Sequence, residues 1–189
     1  MTEEKTYCGN VASAVIPILF CMVFFVAAAF LLEEAREFCW FGILLIPLYL
    51  ISREDLHRRK IRRWMCLLLL LVSVPSVWLI PQTTYSERII SFAVIWFSYV
   101  ILMRLSQRMF GTTKAMGGGD VRMMAVMALL LGFSVADAVM IACITELVYV
   151  FGSLAVKGEK FQDIRKMKIS FGPFLSLGTA AVVLLNLVR

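Results

Sequence analysis

Two aspartates stand at the edges of strongly apolar stretches of this sequence. Asp55 lies in ISREDLHRRKIRRW, and Asp120 follows three glycines in AMGGGDVRMMA. A carboxylate at a lipid boundary is costly unless it is solvated or paired, which makes both acids candidates for function. If the two acids meet, they titrate as a coupled pair. One then acts as a base towards water while the other, still protonated, donates to a carbonyl, as in an aspartic protease.

The glycines before Asp120 have two interpretations. They are Gly117, Gly118 and Gly119. Because glycine adopts positive φ and tolerates a close backbone, an extended substrate strand can lie beside Asp120. Alternatively, the segment is a flexible linker whose aspartate caps a helix, since Asp is a favoured N-cap residue. The composition of the segment does not choose between the two.

The composition places the acids in a membrane protein. Of the 189 residues, 61% are hydrophobic, which is more apolar surface than a water-soluble domain can hide. The net charge of +6 fits basic residues that face anionic lipid headgroups. We expect membrane lipid as a partner and no nucleic acid, because no soluble domain remains to bind it.

The apolar segments predict an all-α, polytopic membrane helical bundle with about seven transmembrane segments. They cover residues 11–32, 39–51, 64–80, 89–103, 121–132, 135–156 and 171–188. The first is too long for a signal-peptide core, and we expect a retained helix. The segments 39–51 and 121–132 are shorter than a full crossing needs, so they must tilt, borrow flanking residues or stop at the membrane boundary.

The distribution of basic residues predicts an orientation. With seven spans and a cytoplasmic N-terminus, all 19 Lys and Arg residues except Arg36, Arg88 and Arg189 fall on the inner side. This bias fits the positive-inside rule, and both aspartates then lie at the cytoplasmic face. Residues 132–134 form a tight outer turn in this arrangement.

The sequence predicts no metal site and no cofactor. Its five cysteines form no Cys-x-x-Cys pair, and His57 is its single histidine. A zinc site is therefore not expected, and no disulfide framework can be derived.

Three motifs resemble the type IV prepilin peptidases, a family of membrane aspartic proteases. GGGDVRMMA resembles the family's Gly-x-Gly-Asp motif, with Arg122 at its basic position. DLHRRKI resembles the first aspartate motif, an Asp followed six residues later by Ile. KISFGPFLSLG, residues 168–178, resembles a third stretch, Ile-Pro-Phe-Gly-Pro-Phe-Leu-Ala-Leu-Gly. Two departures are Arg62-Arg63 in place of Pro-Asn, and Ser170 in place of the Pro of the third stretch.

The resemblance implies a short, peptidase-only form with Asp55 and Asp120 as the catalytic pair. The supporting or substrate-binding residues would be Gly117, Gly118, Gly119, Arg122, Gly172 and Pro173. The protein would remove the leader peptide of type IV pilin-like precursors at the cytoplasmic face of the cell membrane, in pilus assembly or protein secretion. Residues 37–189 would form the peptidase core, and residues 1–36 an added tail and helix. The N-methyltransferase domain of larger members would be missing.

Alternatives remain for the acids and for the function. Glu54 adjoins Asp55, but neighbouring helical residues point about 100° apart, so we expect Glu54 to be a solvated loop charge. Glu146 falls within the sixth segment, where it either bonds inside the bundle or lines the site. The rival functions are a membrane transporter, a secretion-assembly factor, or a Gly-x-Gly-Asp protease with other substrates.

Overall fold

The described part of the chain is helical throughout. The computed structural model describes residues 3–32, 34–80, 83–110, 118–157 and 170–188. Its helices are α1 (Glu3–Leu31), α2 (Ala35–Arg58), α3 (Arg63–Ser73), α4 (Ser76–Leu79), α5 (Tyr85–Phe110), α6 (Gly118–Leu131), α7 (Val135–Lys157) and α8 (Gly172–Val188). These ranges contain no β-strand, which confirms the predicted all-helical class.

Three of these stretches are long and apolar enough to cross a membrane: Ala35–Arg58, Tyr85–Leu105 and Gly118–Ser153. The last contains α6, a 3₁₀ turn (Gly132–Ser134) and most of α7. Shorter apolar helices cover Pro17–Leu31, Arg63–Leu79 and Gly172–Val188. Each predicted apolar segment therefore lies on helix, and the count of seven full crossings stays a prediction.

The segment predicted as short at 39–51 is the centre of a longer helix. Helix α2 has 24 residues and continues through Asp55, which the sequence had placed after the span. The helix ends because Arg59 adopts the left-handed conformation, with φ of 51°. Its N–H donates to the carbonyl oxygen of Asp55 at 2.8 Å, a common way to close a last helical turn. Asp55 is thus held by a rigid element.

The core is built on one face of α2. The fully buried side chains on this face recur at spacings of three and four, as expected for one side of a helix: Phe41, Leu44, Leu48 and Ile51. Helix α2 packs against α1, α3 and α8, and α8 also packs against α7. Because lipid is as apolar as leucine, such helices associate through close packing and hydrogen bonds.

Methionines of α6 belong to this core. Met123 and Met127 are fully buried, which agrees with ordinary helix packing. The 14-residue helix α6 is followed by Gly132, whose φ of 61° turns the chain into α7. The tight turn predicted at 132–134 is therefore present.

Helix α5 exposes an apolar face. The outward side chains of this face are about half exposed or more, and they follow helical spacing: Ile90, Val94, Phe97 and Ile101. The opposite side of α5 packs on α6 and on the 3₁₀ turn. An apolar surface of this extent is suited to contact with lipid.

A buried arginine joins α5 to two other helices. Arg88, in the first turns of α5, is 4% exposed. Its guanidinium donates to the hydroxyls of Ser76 and Thr83 and to the carbonyl oxygens of Leu129 and Leu130. Carbonyls at a helix C-terminus lack partners within the helix, so Arg88 satisfies the end of α6.

Candidate active site

Asp55 is anchored by residues far along the chain. It is 6% exposed, and its Oδ2 atom accepts a hydrogen bond from the Gly172 N–H at 2.8 Å. The Ser170 hydroxyl donates to the same atom at 2.5 Å. The first N–H groups of a helix have no partner within it, so α8 offers the Gly172 N–H to the carboxylate. The first and third motifs of the sequence therefore meet at Asp55.

Gly172 leaves no room for a side chain. A Cβ atom built there would lie 2.6 Å from Asp55 Oδ2 and 3.0 Å from its Cβ. Close approach of the α8 backbone to this acid thus requires glycine at position 172. Pro173, the next predicted residue, is half-buried in the first turn of α8.

Asp120 occupies the first turn of α6 and is half-buried. An acid in this position interacts favourably with the positive end of the helix dipole. The charges of Asp55 and Glu146 both act on the Asp120 carboxyl group. The two predicted aspartates are therefore close enough to interact through their charges, and so is Glu146, which lies outside the predicted catalytic pair.

Of the glycines before Asp120, Gly119 packs against the chain itself. A Cβ at Gly119 would lie 2.9 Å from the Cβ of Ile61, the isoleucine of the first aspartate motif. A Cβ at Gly118 would meet no atom within 4 Å. Both residues are helical without positive φ, and Gly117 lies outside the described residues. The contact of Gly119 with Ile61 joins the first motif to the second.

Glu54 has a different environment from Asp55. Its Oε1 lies 2.9 Å from Arg62 Nε and 3.4 Å from Arg58 Nε, and its side chain is 20% exposed. The expectation of a solvated loop charge is wrong in detail, since Glu54 is in α2 and paired with two arginines. Arg62, one departure from the family pattern, is one of these partners.

The remaining predicted residue, Arg122, is exposed on α6, two positions after Asp120. The sequence analysis missed the contact of Ser170 with Asp55, which it treated only as a departure from a pattern. A hydroxyl beside a Gly-Pro helix start was the available signal, but it does not identify its partner. Within the described ranges, no group of three His, Cys, Asp or Glu side chains could hold a metal ion.

An apolar cleft of about 490 Å³ is lined in part by Val121, the residue after Asp120. It lies between α5 and α7, over α6, and Val121 and Met124 line its end nearest to the acid. The far end includes Phe133 and Val135. Nearly all of its wall is apolar, so it suits an apolar helix or chain.

Comparison with protein families matches residues 42–151 to Peptidase_A24, the type IV leader peptidase family. The match covers more than half of the chain and contains both Asp55 and Asp120. The chain belongs to the type IV leader peptidase family. No curated protein and no solved structure matched the chain in the corresponding searches.

Membership of this family indicates a protease, and with the apolar helices it indicates a membrane protein. The matched region of the leader peptidase runs from α2 into α7. It ends before residues 168–178, so the third motif rests on the resemblance and on the hydrogen bonds to Asp55. Helix α1 also lies outside the match.

Proposed function

We propose that this leader peptidase is an aspartic endopeptidase whose catalytic pair is Asp55 and Asp120. What carries the proposal is that the charge of Asp55 acts on Asp120, with the first acid buried and the second half-buried. Contacts between the motifs support it, since Ile61 packs against Gly119 and Gly172 binds Asp55.

The proposed hydrolysis needs the two carboxyl groups in different protonation states. An ionised carboxylate takes a proton from water as the water oxygen attacks the peptide carbonyl carbon. The protonated partner gives its proton to the carbonyl oxygen, which forms a neutral gem-diol. The carboxyl group that took the proton from water then gives it to the leaving nitrogen. The other carboxylate takes a hydroxyl proton from the gem-diol as the C–N bond breaks and the new carbonyl forms. No acyl-enzyme, metal or cofactor takes part.

The proposed substrates are type IV pilin-like precursors with a short basic leader and an apolar helix. The apolar cleft that Val121 lines would receive that helix, and cleavage would follow a small residue such as glycine. The peptidase core would be residues 37–189. Cleavage would take place at the cytoplasmic face of the cell membrane, in pilus assembly or protein secretion.

A cleavage assay tests the proposal. The protein is co-expressed with a reporter precursor that has a basic leader, a glycine at the cut and an apolar helix. We expect wild type to shorten the reporter on a blot, and Asp55→Asn and Asp120→Asn to leave it intact at equal membrane abundance. Cleavage by either variant at the wild-type rate would exclude that aspartate.

Glu54→Gln is the matched control, because Glu54 is adjacent to Asp55 but pairs with Arg58 and Arg62. It should keep most of the activity. If Glu54→Gln is inactive and Asp55→Asn is active, the acids are wrongly assigned. If wild type leaves a panel of precursors intact, the rival functions gain weight: a transporter, an assembly factor or a related protease with other substrates.

A further inference from the structure

We propose that Ser170 is a positioning residue for Asp55, which it holds together with the Gly172 N–H so that Asp55 Oδ1 is left to take the proton from water. This inference rests on the proposed function, since it assigns Asp55 the role of base. It concerns a residue that neither the motif resemblance nor the family match provides.

The geometry at Asp55 separates its two oxygens. An amide N–H can only donate, so Oδ2 must act as an acceptor where it meets Gly172. The Ser170 hydroxyl lies 2.5 Å from the same atom, within the range for a hydroxyl that donates to a carboxylate. Among the described residues, both hydrogen-bond donors to the Asp55 carboxylate therefore donate to Oδ2. Because Oδ2 already accepts two hydrogen bonds, Oδ1 is the oxygen available to a substrate water.

The two donors lie at the start of α8 and just before it. Gly172 is the first residue of α8, and α8 packs directly against α2. The carboxylate itself is on the last turn of α2. Ser170 lies two residues before α8. Two donors can fix both the distance and the rotation of the carboxyl group, whereas one donor fixes only the distance. Such a supporting shell holds a catalytic group in a productive geometry.

Ser170 adds a donor that the family pattern lacks. The resembling stretch has proline at this position, and proline has no hydroxyl. A proline at position 170 could not make this hydrogen bond. The second hydrogen bond is therefore a feature of this chain, and its loss should weaken catalysis without abolishing it.

Steady-state cleavage of the reporter precursor by purified protein tests the role. We expect Ser170→Ala to lower kcat about tenfold with KM changed less than about twofold, as for loss of a hydrogen bond to a charged group. Ser170→Thr, which keeps the hydroxyl, should restore kcat to within about threefold of wild type. Ser170→Cys keeps the shape with a weak donor, so it should behave like Ser170→Ala.

Ser176→Ala is the matched control. Its hydroxyl is also buried in α8, but it donates to the carbonyl oxygens of Gly172 and Leu48 and contacts no carboxylate. Its kcat should stay within about twofold of wild type. The proposal is overturned if Ser170→Ala matches wild type, if Ser170→Cys matches wild type, or if only KM changes.

The assay separates this inference from the proposed function. If Asp55→Asn is inactive while all Ser170 variants are normal, the protease assignment holds and the positioning role fails. If Asp55→Asn cleaves as well as wild type, both are wrong.

Discussion

Adjacent acids in the last turns of α2 have opposite environments. Asp55 is buried and receives donors from the start of α8, whereas Glu54 pairs with two arginines near the surface. Ion pairs near the surface, such as those of Glu54, contribute about 0–1 kcal/mol to stability. The anchored carboxylate is the one suited to chemistry, because its position is set by other parts of the fold.

The close approach of Gly172 to Asp55 leads to the first prediction. Gly172→Ala places a methyl group 2.6 Å from Asp55 Oδ2, so the carboxylate or the start of α8 must move. Misplacement of a catalytic group by about 1 Å can cost 100-fold in rate, and we expect at least that loss of cleavage. The measurement is kcat with the reporter precursor.

Gly152→Ala is the control for this prediction. Gly152 is also helical, but a Cβ built there meets no atom within 4 Å. Its activity should be unchanged at equal membrane abundance. Wild-type activity in Gly172→Ala would mean that the contact with Asp55 does not constrain the site.

The sequence alone could single out candidate acids but not the residues that support them. The resemblance of three motifs singled out Asp55, Asp120 and the stretch containing Gly172. It could not predict that the Ser170 hydroxyl contacts Asp55, since that contact joins residues 115 positions apart in the chain. Arg88 was assigned only to the outer side, because a charge count says nothing about which carbonyls an arginine reaches.

At the scale of helices, the cleft between α5 and α7 gives the second prediction. Ser98 is a small, exposed residue that lines this cleft. Ser98→Trp should fill it and raise the KM for the reporter about tenfold, with kcat at saturation little changed, because an apolar substrate helix loses its place. The comparison is a substrate titration with purified protein.

The control lies on the same helix. Ala93 is also small and exposed on α5, and it lines an adjoining groove but not the cleft itself, whereas Ser98 borders both. Ala93→Trp should leave KM unchanged. Equal effects of the two tryptophans would argue against a substrate helix in the cleft.

Arg88 provides the third prediction, on the joining of helices. Arg88→Met removes the donors to the end of α6 and to Ser76 and Thr83. Each buried polar group left without a partner costs about 1–3 kcal/mol, so we expect a loss of roughly 3 kcal/mol or more. Thermal unfolding in detergent should show a clear fall in Tm.

Arg36→Met is the comparison for Arg88, since both arginines are predicted on the outer side. The Arg36 side chain is 74% exposed and pairs with the exposed Glu34. Its replacement should change stability by about 0.5 kcal/mol or less. A similar Tm for both variants would show that the Arg88 hydrogen bonds do not stabilise the bundle.

For the whole molecule, the pattern of hydrophobic residues predicted the location of the helices better than it predicted the residues at which they end. Every apolar segment lies on helix, yet α2 extends past 39–51 to Arg58. The extension contains charged residues, so an apolar window stops short of it, while the left-handed Arg59 that ends the helix gives no compositional signal. Asp55 was therefore expected just beyond a span and is inside a helix.

The orientation in the membrane is the fourth prediction, and it follows from the basic residues. With the N-terminus inside, the turn between α2 and α3 faces the cytoplasm, and the 3₁₀ turn between α6 and α7 faces outward. Phe133 in the outer turn and Lys60 in the inner one are both exposed. In a parent with all five native cysteines replaced, Phe133→Cys and Lys60→Cys can be probed with a membrane-impermeant maleimide. In intact spheroplasts the maleimide should label Phe133→Cys alone, and in lysed membranes it should label both variants. The reverse pattern in spheroplasts would mean that the topology is inverted and that both aspartates lie at the outer face.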